Sequence, residues 1–163
     1  MATRKPAARK KTNGRTVYFL NGPNANLYGH TAGAVYGTET FEDLGKRCMR
    51  KAKELGLELS FRQSNFEGEL INWIQDGIRK ADGIIINGAG LTYTSVALLD
   101  ALLAFPKPIV EVHMSNLWKR EPFRHHSYIS KAATGVIAGF GPRGYELALT
   151  AMANLIATSQ GAS

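Results

Sequence analysis

The strongest indication of the fold is the segment Gly83-Ile84-Ile85-Ile86-Asn87-Gly88. Three consecutive β-branched residues predict a strand, and an unbroken apolar run indicates a strand that helices cover on both faces of a parallel sheet. Asn87 and Gly88 end the run with residues typical of turns. We therefore expect Ile84–Ile86 to be the central strand and the rest of the chain to be arranged around it.

Apolar runs and amphipathic stretches alternate on both sides of this strand. Four further strands are predicted, at Val17–Leu20, Leu57–Arg62, Ile109–Val112 and Gly135–Ala138. The predicted helices run from an N-cap at Thr40, with Asp43 completing a capping box, to Leu55, over Glu67–Lys80, from Thr94 and Ser95 to Ala104, and over Tyr145–Ala157. Short connections between them predict an α/β fold with a flavodoxin-like, doubly wound five-stranded parallel sheet.

The positive charge of the chain is concentrated before the first predicted strand. The 163 residues have a formal net charge of +7, of which six charges precede Val17 without any acid, at Arg4, Lys5, Arg9, Lys10, Lys11 and Arg15. We expect residues 1–15 to be a basic tail and residues 16–163 to form one domain. A solubilising extension is the interpretation we favour for the tail over a nucleic-acid arm, an anionic-surface arm or an organelle-targeting segment.

Two further features bear on the location of the protein. No apolar run approaches the roughly 20 residues that a membrane-spanning helix needs. Cys48 is the single cysteine, so an internal disulfide is excluded and a reducing compartment fits. We therefore expect a cytoplasmic protein without a membrane partner.

Small polar clusters follow four of the five predicted strands. They are Asn21 with Asn24, Gln63 to Asn65, Asn87, and His113 to Asn116. In an open parallel sheet these strand ends converge on one crevice, where ligands bind. The sequence therefore predicts a small-molecule site at this edge.

The residues at these strand ends argue against several classes of protein. A phospho-accepting receiver needs acids after its first strand, where this chain has Asn21-Gly22-Pro23-Asn24. A Ser/Thr-rich flavin phosphate loop, a dinucleotide GxGxxG motif and a Walker loop are also missing. Adjacent histidines such as His125 and His126 rarely chelate one ion, so we expect neither a metal nor a cofactor.

The remaining candidate residues are suited to general acid–base chemistry. His113 follows a strand, and Glu111 lies two residues earlier on the same side, where a carboxylate orients or charges the imidazole. Tyr36 lies in a loop bracketed by glycines, which is typical of a mobile lid. Arg120 and Arg124 supply cations for a carboxylate substrate or for lowering the pKa of a tyrosine.

Taken together, these segments resemble the type II 3-dehydroquinate dehydratases. The similarity runs in order from about Val17 to the last helix. The matching pieces are Leu20-Asn21-Gly22-Pro23-Asn24, Val35-Tyr36-Gly37, Gln63-Ser64-Asn65 with Glu67-Gly68-Glu69-Leu70, Thr94-Ser95-Val96-Ala97-Leu98 with Asp100, Glu111-Val112-His113-Met114-Ser115-Asn116, and Arg120-Glu121 with Phe123-Arg124-His125-His126-Ser127-Tyr128.

The resemblance implies a cofactor-free trans elimination of water from 3-dehydroquinate through an enolate, in the shikimate pathway or in quinate catabolism. Tyr36 would be the tyrosinate base, polarised by Arg120, and His113, oriented by Glu111, would protonate the departing hydroxyl. Asn24 would hold the water that stabilises the enolate.

The resemblance also implies a binding set and an assembly. The substrate carboxylate would be bound by Asn87, the Met114 amide and Ser115, the ring hydroxyls by Arg124, and Tyr93 would stand where the family has a substrate-binding histidine. Asp100 would reach a neighbouring site, because these enzymes are dodecamers built from trimers.

The sequence departs from the family pattern at four positions. Thr31 replaces the lid arginine, and His30 would take over the role of that cation in part. The family histidine is Tyr93, the arginine before Asp100 is Leu99, and the proline after Asn87 is Gly88. These changes leave two alternatives open. One is a catalytically impaired paralogue that binds a related cyclic acid or acts as an assembly or regulatory partner; the other is an enzyme with a shifted substrate.

Overall fold

The computed structural model describes residues 15–30 and 39–160. Within them, five strands form one sheet: β1 (Arg15–Asn21), β2 (Leu57–Gln63), β3 (Gly83–Asn87), β4 (Ile109–His113) and β5 (Gly135–Ala138). All neighbouring strands are parallel and their order is β2-β1-β3-β4-β5. The predicted doubly wound α/β sheet is confirmed, with Ile84–Ile86 in its central strand and fully buried.

Four α-helices connect the strands: α1 (Phe41–Glu54), α2 (Glu67–Lys80), α3 (Val96–Leu103) and α4 (Arg143–Gln160). The predicted capping box of α1 is present, because the Thr40 side chain accepts a hydrogen bond from the Asp43 amide and the Asp43 carboxylate accepts one from the Thr40 amide. The Ser95 hydroxyl caps α3 by accepting from the Leu98 amide at 2.8 Å. None of the helices in the described part of the chain is long and apolar enough to cross a membrane.

The helices cover the sheet in two layers, each with its own core. On one face, α1 and α4 pack against the side chains of Val17, Phe19 and Ile85. On the other face, α2 and α3 pack against those of Leu20 and Ile86. Because side chains alternate along a strand, residues two apart at a strand end stay on the same side of the sheet. This alternation determines on which face of the sheet each functional side chain of β3 and β4 lies.

Two predicted features fall outside the described residues. Tyr36 and Thr31 lie in residues 31–38, and the basic residues before Arg15 lie in residues 1–14.

Candidate active site

The carboxyl ends of β1, β3 and β4 border a cavity of about 360 Å³. Eight of the residues predicted for the site line it together, which are Asn24, Asn87, Tyr93, His113, Met114, Ser115, Arg120 and Arg124. Pro23, Ala89 and Gly90 complete the lining. The expected convergence of strand ends thus produces one concave site with both cationic and amide groups.

The predicted pair of His113 and Glu111 lies on one side of β4. His113 Nε2 is 2.6 Å from Glu111 Oε1, and both side chains are buried, Glu111 completely. With Nε2 engaged by the carboxylate, Nδ1 is the ring nitrogen left for a ligand in the cavity. The arrangement suits a histidine that gives up a proton while a fixed carboxylate orients its ring.

Two serines that the sequence reasoning missed hold Glu111 from the segment after Arg124. The Ser127 hydroxyl donates to Glu111 Oε1 at 2.8 Å, and the Ser130 hydroxyl donates to Oε2. Burial tends to raise the pKa of Glu111, but the hydrogen bonds from His113, Ser130 and Ser127 outweigh it and hold that pKa below its usual value. The carboxylate therefore stays ionised although water does not reach it.

Tyr93 forms one wall of the site between His113 and Arg124. Its ring is nearly parallel to the imidazole of His113, with 6.4 Å between centroids, and the Arg124 guanidinium lies 5.3 Å from its ring centre. Burial raises the pKa of Tyr93, and Arg124 opposes that shift. The hydroxyl is thus a neutral hydrogen-bonding group at neutral pH.

The two arginines share one carboxylate. Arg124 Nε donates to Glu121 Oε2 at 2.8 Å, and Arg120 Nε lies 3.4 Å from the same oxygen. Arg120 also donates from Nη1 to the Ser115 hydroxyl at 3.2 Å. Because two cations face one anion in this group of three, it favours a negatively charged ligand in the cavity.

The loops after β1 and β3 touch through their backbones. The Gly22 amide donates to the Asn87 carbonyl at 2.8 Å, and a Cβ on Gly22 would lie 2.5 Å from the Gly88 carbonyl oxygen. Asn24 has a φ of 66°, and its amide donates to the Asn65 side chain at 2.9 Å. These contacts fix the polar end of β1 against that of β3.

Asn87 belongs to a polar chain with Asn21, which the sequence placed in a strand-end cluster, and with Tyr145, which the sequence reasoning missed. Its Nδ2 donates to the Tyr145 hydroxyl at 2.8 Å, and that hydroxyl donates to Asn21 Oδ1 at 2.8 Å. Tyr145 and Asn21 are completely buried. The available signal was the hydroxyl of Tyr145 on the inner side of the last helix. An aromatic residue at that position predicts core packing equally well.

Other predicted residues are separate from the cavity. Asp100 is exposed on α3 and does not line it. His125 and His126 contact different backbone carbonyls, those of Arg120 and Tyr93. Among the residues that the structure describes, no group of three or more His, Cys, Asp or Glu side chains could hold a metal ion.

The structure defines an α/β protein of the doubly wound class, with a cavity at the strand ends lined by two arginines and by a histidine that pairs with a buried carboxylate. Residues 15–153 match the family model described as dehydroquinase class II. The chain therefore belongs to the type II dehydroquinase family.

Similar proteins agree over most of their length. The chain is 52% identical over 141 residues to the 3-dehydroquinate dehydratase of Phenylobacterium zucineum, covering 86% of this chain and 97% of that protein. It is 53% identical over 141 residues to 3-dehydroquinate dehydratase 2 of Agrobacterium fabrum, covering 86% and 96%. The crystal structure of the type II dehydroquinase from Propionibacterium acnes superposes with a TM-score of 0.82 at 40% identity, covering 86% of this chain and 97% of that one.

Proposed function

We propose that this protein dehydrates 3-dehydroquinate to 3-dehydroshikimate by trans elimination through an enolate. The observation that carries the proposal is the buried His113–Glu111 pair opening onto a cavity that also presents Asn87, Arg120 and Arg124. Relatives that are about 50% identical to the chain are named for that activity. This similarity does not favour the alternative of an impaired paralogue. The reaction belongs to the shikimate pathway and aromatic amino-acid biosynthesis or to quinate breakdown.

The elimination needs a base and an acid on opposite sides of the substrate. Tyr36 is proposed as the tyrosinate that removes the proton beside the ketone, with Arg120 stabilising its charge. Asn24 holds the water that stabilises the resulting enolate. As the C–O bond breaks, His113 gives its proton to the departing hydroxyl, which leaves as water, while Glu111 keeps the ring in place.

Binding is proposed to begin with the substrate carboxylate. Asn87, the Met114 amide and the Ser115 hydroxyl are the donors we assign to it. Arg124 and Tyr93, which also line the cavity, are the groups we assign to the ring hydroxyls. The Ser115 hydroxyl already accepts from Arg120, so its own proton is available for an anion.

Turnover of 3-dehydroquinate by the purified protein, followed by the ultraviolet absorbance of the conjugated product, tests the proposal. We expect clear turnover that is abolished in Tyr36→Phe, while binding of the substrate is largely kept. Folded wild-type protein that binds but does not react would contradict the proposal. Recovery of the reaction in Thr31→Arg with Tyr93→His would then identify an impaired paralogue.

The assembly and the tail form separate parts of the proposal. We propose dodecamers built from trimers, in which the exposed Asp100 reaches a neighbouring subunit's site. A monomer by light scattering would contradict this. We also propose a cytoplasmic protein whose catalytic domain is residues 16–163, so removal of residues 1–14 is expected to leave turnover unchanged.

A further inference from the structure

Asn87 lies at the cavity end of a chain of hydrogen bonds that runs through the interior. The chain passes from Asn87 Nδ2 to the Tyr145 hydroxyl and from there to Asn21 Oδ1, at 2.8 Å in each step. Asn21 Nδ2 then donates to the Arg62 backbone carbonyl at 3.0 Å. At the opposite end, Asn87 Oδ1 accepts from the Ala89 amide at 3.1 Å.

The two backbone groups at its ends fix the direction of this chain. A carbonyl only accepts, so Asn21 must turn its NH₂ to Arg62 and its oxygen to Tyr145. The hydroxyl has one proton, which goes to that oxygen, so it can only accept from Asn87. The Ala89 amide only donates, which independently places the Asn87 oxygen on the side away from Tyr145. Both ends therefore require the same orientation of the Asn87 amide.

That orientation decides what Asn87 offers to a ligand. Its oxygen is turned to Ala89 and one of its N–H groups to Tyr145, so the second N–H is the group left for the cavity. A donor at this point binds an anionic oxygen, whereas a flipped amide would present an oxygen that repels it.

We propose that Tyr145, with Asn21, is a positioning residue that works together with the Ala89 amide to hold Asn87 as a hydrogen-bond donor to the cavity, and so strengthens the preference of the site for a carboxylate over a carboxamide. The identity of the carboxylate rests on the proposed function. Packing alone does not require the hydroxyl, because the Tyr145 ring is completely buried against Phe19, with 4.6 Å between ring centroids. Burial raises the pKa of Tyr145, so the hydroxyl keeps the proton that it gives to Asn21.

The test is Tyr145→Phe, which keeps the ring and removes the hydroxyl. Tyr18→Phe is the matched control, because the nearly buried Tyr18 also donates one hydrogen bond, to Asp76 at 2.9 Å, but on the opposite face of the sheet. Binding of quinate and of its primary amide is measured by calorimetry for each protein, and kcat and KM for 3-dehydroquinate are measured beside it.

We expect the wild type and Tyr18→Phe to prefer quinate, and Tyr145→Phe to lose about tenfold of that preference, the value of roughly one net hydrogen bond. KM for 3-dehydroquinate should rise by a similar factor while kcat changes little. Asn21→Leu removes the acceptor of the Tyr145 proton and should shift the preference in the same direction, which keeps the test decisive where one variant folds poorly.

An unchanged preference in both variants would overturn the inference, because a purely structural role lowers stability without altering the ratio. A wild type that does not prefer quinate to its amide would overturn it as well. Failure of the proposed function is distinguishable, since wild-type protein that binds quinate without dehydrating 3-dehydroquinate still gives the binding ratio.

Discussion

Two buried polar networks reach the cavity from opposite faces of the sheet. On the side of α2 and α3, the ionised Glu111 is held by His113, Ser127 and Ser130. On the side of α1 and α4, the neutral Asn21 and Tyr145 hold Asn87. In the first network several donors bind one carboxylate. In the second network each residue makes a single hydrogen bond to the next.

The difference follows from what each network must supply. An ionised carboxylate out of water is costly unless donors replace its hydration, so Glu111 requires several partners at once. An amide carries no charge and is cheap to bury when paired, but it can present either of two faces. Its network therefore controls direction, whereas the network of Glu111 controls ionisation and the position of a ring.

The largest effect on activity is expected from a substitution of Glu111. Glu111→Gln keeps the shape but removes the charge, so nothing anionic holds His113, and we expect kcat for dehydration to fall by about 100-fold or more. Steady-state turnover of 3-dehydroquinate measures this. Glu146→Gln is the control, because that carboxylate pairs with Arg47 at 2.6 Å and does not line the cavity. A kcat within threefold of the wild type would show that the charge of Glu111 is unimportant.

A smaller effect is expected from Ser127→Ala. Losing one donor to the buried carboxylate should lower the free energy of unfolding at neutral pH by about 1–3 kcal/mol. Urea unfolding at a series of pH values measures this, with Ser159→Ala, whose hydroxyl donates to a carbonyl on the exposed side of α4, as the control.

The pH dependence has a definite sign. The pKa of Glu111 lies below its usual value, so its contribution to stability is present above the unfolded pKa and is lost as the pH falls through the folded pKa. Ser127→Ala raises the folded pKa, so the variant should lose the remaining contribution at a higher pH than the wild type. Identical pH profiles for the two proteins would contradict a role of Ser127 in keeping Glu111 ionised.

The smallest effect is expected in the neutral network, at Ala89. Ala89, whose amide anchors Asn87, has a φ of 49°, a left-handed conformation that is strained for alanine. We expect Ala89→Gly to raise the free energy of unfolding by about 1 kcal/mol without changing the preference for a carboxylate. Thermal unfolding checks it. Ala153→Gly, inside α4, should instead lower stability by about 0.5–1 kcal/mol, and a loss in both variants would argue against strain at Ala89.

Much of the architecture was predictable because local patterns and tertiary structure agree. The run Ile84–Ile86 predicted the central strand, and Thr40 with Asp43 predicted the start of α1. The convergence of strand ends followed from parallel topology alone, which is why Asn87 and His113 could be assigned to one site. The helix α4 proved longer than predicted, starting at Arg143 and reaching Gln160.

The supporting residues were not predictable for a physical reason. Tyr145 is 58 residues from Asn87 along the chain, and its aromatic ring fits a core position whether or not its hydroxyl forms a hydrogen bond. Ser127 and Ser130 lie in a segment of short turns, where serine is common and its direction depends on packing. Periodicity shows which side of an element faces inward, but it does not show which hydroxyl finds which partner.

Because Gly22 contacts Gly88, two loops that are far apart in sequence constrain each other's residues. Any side chain at Gly22 would collide with the backbone of the other loop, so neither loop can be exchanged alone without moving the other. In a chimera with a relative, the segments after β1 and β3 must therefore be transplanted as one piece. Over evolutionary time the two segments are expected to change together.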